Sequence, residues 1–208
     1  MKRQIVFGWL FFSALWGISE VVLGGSLFGY EIPYASIPLT VIGFLVLSLA
    51  RIFLPYFGMA AMIAVGAMLF KFLNAPLYKC HYLGILVMGI SFDVFFSLFK
   101  IKQRWLSAVA AAYFNNLAFA VLMIYIIHYQ PWIQNSVEKL VDHVLISGTA
   151  TALLSAILVP LCFRQAEILR LKNPTPFQWR PSLVPRIISL ASTLFWVGSL
   201  AVFGYHIL

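Results

Sequence analysis

Seven long apolar runs limit what this chain can fold into: residues 5–29, 35–54, 57–74, 82–99, 105–129, 140–163 and 186–207. A helix needs about 20 apolar residues to cross the hydrocarbon core of a bilayer, and each run comes close to that length. Backbone N–H and C=O groups in lipid must be paired internally, so isolated runs of this kind can only be helices. Of the 208 residues, 62% are apolar and 10% charged, with a mean hydropathy of +0.96. Soluble domains carry roughly 25% charged residues. The expected fold is therefore an all-α, polytopic integral membrane helix bundle. It divides into a six-helix core over 1–163, a cytoplasmic connector with Pro and Arg over 164–185, and a seventh transmembrane helix over 186–208. That leaves no length for a soluble catalytic domain.

The net charge of +8 does not point to nucleic acid, because the basic residues sit between apolar runs and form no continuous face. Membrane topology explains them. With the N-terminus inside, the inner segments collect Lys2, Arg3, Arg51, Lys100, Lys102, Arg104, Arg164, Arg170, Lys172, Arg180 and Arg186, which is 11 of the 14 basic residues. This bias orients the chain N-terminus inside and C-terminus outside. Met1-Lys2-Arg3 before an apolar run resembles a signal peptide, but the run exceeds the usual h-region of about 7–15 residues and lacks an A-x-A site. A retained first helix is expected. Cys80 and Cys162 fall on opposite sides of the membrane, so no disulfide is expected between them. Pro174, Pro176, Pro181 and Pro185 disfavour continuous helix in the connector, which reads as an extended segment on the membrane surface or on a partner. Residues 130–139, with Pro131 and Trp132, read as an interfacial segment.

Glu20 is the only charge in the first run. A carboxylate deep in a bilayer costs at least ~2.5–3.5 kcal/mol, so a retained one faces a partner charge, a cavity or a ligand. Depth follows from the helical rise: Glu20 lies roughly 22 Å, and Lys71 roughly 21 Å, from the inner ends of their helices. An ion pair in the outer half is geometrically possible. Asp93, Asn115 and Asn116 are placed near the midplane by the same estimate. Either Glu20–Lys71 is a structural pair with an Asp93–Asn116 hydrogen bond beneath it, or these five side chains line an outward-opening pocket for a small polar molecule. Five polar side chains on four helices exceed what packing requires, which favours the pocket. Trp16 and Tyr113 are candidate stacking surfaces within it.

His81, His128, His143 and His206 fall at the outer ends of their helices, and Cys80 and Asp142 adjoin two of them. Such ligands suit a transition metal or haem iron, although no pair has a metal-motif spacing within one helix and histidine is at home at an interface. No cofactor is expected from motifs. Small residues recur at helix-packing intervals in Ser13/Gly17, Gly25/Gly29, Ala60/Ala64 and Ser147/Thr151/Ser155. No zincin, nucleophile-elbow, P-loop or dinucleotide motif is present, so the sequence carries no sign of an enzyme.

Ala14-Leu15-Trp16-Gly17-Ile18-Ser19-Glu20, Gly24-Gly25 and Ile32-Pro33 begin a pattern that continues through Arg51, Pro55-Tyr56-Phe57-Gly58, Leu69-Phe70-Lys71-Phe72-Leu73 and Gly84-Ile85-Leu86 to Asp93. In these features the chain resembles small bacterial membrane proteins related to the substrate-binding S components of energy-coupling factor (ECF) transporters. The resemblance implies a six-helix protein of the bacterial cytoplasmic membrane that binds a vitamin-like or metal-related substrate in an outward pocket. It also implies partners, namely a transmembrane coupling subunit and ATPase subunits, with Ser13 and Gly17 as counterparts of the coupling face. The seventh run departs from that pattern. The leading expectation is the substrate-binding membrane subunit of an uptake transporter. The alternatives are a membrane-embedded metal- or haem-dependent enzyme or redox protein, and a structural subunit of a membrane complex.

Overall fold

The apolar runs form helices because they hold few interior helix breakers and their breakers cluster between them. The computed structural model describes residues 2–71, 79–99, 103–134 and 136–172. Its helices are α1 (Lys2–Gly29), α2 (Ser36–Phe53), α3 (Met59–Phe70), α4 (Lys79–Leu98), α5 (Arg104–Val121), the short α6 (Gln130–Ile133) and α7 (Ser136–Val141), and α8 (Gly148–Lys172). Gly29, Pro33 and the left-handed Glu31 and Tyr34 separate α1 from α2. Pro160 lies within α8, where it removes one backbone donor, a defect that packed membrane helices tolerate. Wider π-helical turns follow α5 at Leu122–Ile126 and precede α8 at Asp142–Ser147.

Among the described residues, five helices are long and apolar enough to cross a membrane, and α7, the π turn and α8 count as one span, Val137–Lys172. The chain is an all-α integral membrane protein. α3 is the exception, at 12 residues and about 18 Å. Its Ile63, Ala64, Ala67 and Phe70 are fully buried.

The long helices and α3 close into a ring whose neighbours run α1, α3, α4, α5, α8, α2 and back to α1. α1 and α3 approach closely because small residues face large ones. A Cβ on Gly17 would sit 2.5 Å from the Phe70 ring. Ser13 Oγ donates to Ile63 O at 3.2 Å and Trp9 Nε1 to Met62 O at 2.7 Å. The centre is filled by Trp16, Phe44, Leu47, Phe92 and small alanines of α5.

One expected boundary is corrected. The core does not end at residue 163, because α8 continues helically to Lys172. The prolines that oppose helix begin only at Pro174, and residues 164–172 are anchored: Arg104 Nη2 pairs with Glu167 Oε1 at 2.6 Å, Arg170 donates to Ile52 O, and Ala166 is buried. The stretch read as an interfacial segment contains helical turns at α6 and α7, with Lys139 Nζ donating to Pro131 O. The seventh helix, most of the connector and His206 lie outside the described residues.

Candidate functional site

The ring of helices leaves a cleft at the end where α1, α3 and α5 finish and α2, α4 and α8 begin. α1 contributes Glu20 and Phe28, α2 contributes Ser36 and Thr40, and Lys71 follows directly on α3. α4 adds Cys80, His81 and Met88, α5 adds Asn115, Asn116 and Phe119, and the π turn before α8 adds His143. The cavity holds about 100 Å³, several times the roughly 10–15 Å³ that one water needs. Arg51, Arg104, Arg164, Arg170 and Lys172 all belong to the opposite ends of their helices.

Glu20 and Lys71 meet in this cleft. Lys71 Nζ lies 3.1 Å from Glu20 Oε2 and donates to the Glu20 backbone carbonyl at 2.9 Å, with both side chains almost fully buried. Gly24, one turn beyond Glu20, leaves the space: a Cβ there would lie 3.0 Å from Lys71 Nζ. Asn116 Nδ2 donates to Ala112 O one turn back. Asn115 is 5% exposed, and its Oδ1 finds no partner among the described residues. A buried amide acceptor left unpaired carries a desolvation cost of about 1–3 kcal/mol, and this one lines a cavity.

Aromatic rings frame the mouth. Phe28 stacks on His81 at 4.7 Å, while Phe119, Trp132 and His143 meet edge-on or tilted at 5.1–5.4 Å. Tyr34, in the α1–α2 loop, donates to Asp142 Oδ1 at 3.1 Å, tying that loop to the residue before His143. This hydrogen bond and the adjacent carboxylate charge raise the Tyr34 phenol above its ordinary value of 10.0. Glu31, Tyr34 and His128 hold positive φ, and all three lie in loops at this end.

Other sequence-predicted residues lie elsewhere. Asp93 makes no bond to Asn116. Its Oδ1 pairs with Arg51 Nη1 at 3.2 Å and its Oδ2 accepts the Ala61 N–H at 2.9 Å. α4 begins at Lys79 rather than 82, which carries Asp93 about 21 Å from that end and towards the basic one. There it caps the first turn of α3. Trp16 is fully buried among Gly43 and Met88, below the cavity and not on its wall, and its Nε1 has no partner among the described residues. The Tyr113 hydroxyl bonds Thr149 Oγ1 at 2.8 Å, joining α5 to α8. Ser13 and Gly17 are consumed by the α1–α3 contact, so they form no outward docking face. His128 is exposed in the loop before α6 and lies apart from His81 and His143. Among the described residues no three His, Cys, Asp or Glu side chains are grouped as metal ligands would be. Cys80 and Cys162 are both free.

No sequence pattern marked Thr40 or Phe28 for the cleft, whereas Gly24 stands in the Gly24-Gly25 pair. Only Gly24 carried a local signal, since it follows Glu20 by one helical turn. No protein-family model matches the chain, and no curated protein or solved structure matches it either.

Proposed function

We propose that the protein is the membrane-embedded substrate-binding subunit of a small-molecule uptake transporter, similar to the S components of ECF transporters and taking a vitamin-like or metal-related substrate. One observation carries this reading: a cavity in a membrane helix bundle bears a buried ion pair and an unpaired amide acceptor. A purely structural pair would need no adjoining space, and Asn115 on its wall would need no unpaired acceptor. The cleft lies at the end opposite the arginines, which is the outer end when the positive residues face the cytoplasm. In this orientation the N-terminus is inside and a solute enters from outside.

Uphill movement would draw on a coupling subunit and ATPases, because the chain carries no nucleotide motif. Such a subunit would dock away from Ser13 and Gly17. Mass spectrometry of small molecules released from gently purified protein tests the proposal. One stoichiometric compound is expected, with binding weakened about tenfold or more in Glu20→Gln or Lys71→Met. Copurification with other membrane subunits and no small molecule would instead mark a structural component.

A further inference from the structure

The charge balance of the cavity narrows the chemistry of what it takes. Glu20 and Lys71 are the charged side chains on its described wall, and they neutralise one another at 3.1 Å. The remaining polar groups are hydroxyls, amides, a thiol and two imidazoles, none formally charged at neutral pH. A ligand with a net charge would have to enter uncompensated, or pull one partner from the other and strand the second in an apolar surround. Among the described lining residues, Asn115 Oδ1 is a buried acceptor without a donor. Lys71 spends two of its three N–H bonds on Glu20.

We infer that the cavity selects a molecule of zero net charge carrying an N–H or O–H donor for Asn115, and rejects simple anions and cations. This rests on reading the cleft as a ligand site and adds the class of ligand. The aromatic wall, with Phe28 and Phe119, favours attaching that donor to a flat apolar body.

The test uses the full chain in lipid nanodiscs at pH 8, above the ordinary imidazole range. Four probes share one ring: benzamide (neutral donor), methyl benzoate (neutral, no donor), benzoate and benzylammonium. Ligand-detected NMR competition should rank benzamide about tenfold tighter than each of the others. In Asn115→Leu the advantage of benzamide over methyl benzoate should vanish. In Asn115→Asp, whose wall gains a negative charge, benzylammonium should overtake benzamide.

Benzoate or benzylammonium binding wild-type protein as well as benzamide overturns the inference, as does a methyl ester that equals the amide. Both comparisons use unmutated protein, so a misfolded variant cannot obscure them. A net-charged molecule retained in the cavity by purified protein overturns this inference alone and leaves the binding-subunit reading standing. No retained compound, together with no binding by any probe, overturns both.

Discussion

Glu20 and Lys71 stand or fall together. Each is buried, and removing one leaves an uncompensated charge, which costs about 3–5 kcal/mol, whereas replacing both with neutral groups is often harmless. Glu20→Gln and Lys71→Met should each lower the melting temperature of purified protein sharply, and the double variant should melt near the wild type. Additive losses would show that each side chain has a separate partner. Tyr34 gives a second residue-level outcome. Its phenol is raised above 10.0 by the hydrogen bond to Asp142 and by that carboxylate's charge. The interaction is therefore intact below pH about 10 and fades as pH rises through the shifted value. Phenolate absorbance should show a late-titrating tyrosine that is missing in Tyr34→Phe and returned towards the ordinary range in Asp142→Asn. The Glu20–Lys71 pair was legible in the sequence because depth along a helix is linear in residue number. Tyr34–Asp142 was not, since the partners are 108 residues apart and one lies in a loop with no periodicity to read.

At the scale of elements, the short α3 poses the main physical problem. Its first N–H groups have no partner within the helix, and an apolar environment offers none. Asp93 of α4 supplies one at the Ala61 N–H, and Arg51 of α2 holds the carboxylate while also donating to Tyr56 O and Ser97 Oγ. The acid that reads as a midplane binding group in the sequence is thus a cap delivered from a neighbouring helix. Asp93→Asn should destabilise the protein by about 1–3 kcal/mol in mixed-micelle denaturation. Combining it with Arg51→Met should cost less than the sum of the two, as coupled partners do. A fully additive pair would separate the cap from the arginine. Helix existence was legible from apolar length alone. Helix ends were less so, and the three residues by which α4 starts early were enough to move Asp93 out of the cavity and onto α3.

At the scale of the molecule, the ring gives the bundle a basic end and a cavity end, and this polarity can be measured. In a background lacking Cys80 and Cys162, a membrane-impermeant maleimide should label Tyr30→Cys in intact cells, where Tyr30 is 81% exposed near the cavity. Leu171→Cys, at 83% exposure near the basic end, should react only after permeabilisation. The reverse pattern would invert the proposed orientation and with it the direction of uptake. The sequence by itself determined that the chain is helical and membrane-embedded, roughly where its described helices lie and which buried acid sits level with which lysine. Those properties follow from apolar length and from a fixed rise per residue. Only the tertiary structure decided that α2 and α3 flank α1 on opposite sides, and that α2 closes the ring against α8. Neighbour order depends on side-chain fit, as where Gly17 admits Phe70, and lipid surrounds every helix with equally apolar surface. Hydropathy cannot rank such contacts, so Arg51 with Asp93, Tyr113 with Thr149 and the unpaired Asn115 emerged only once the helices were assembled.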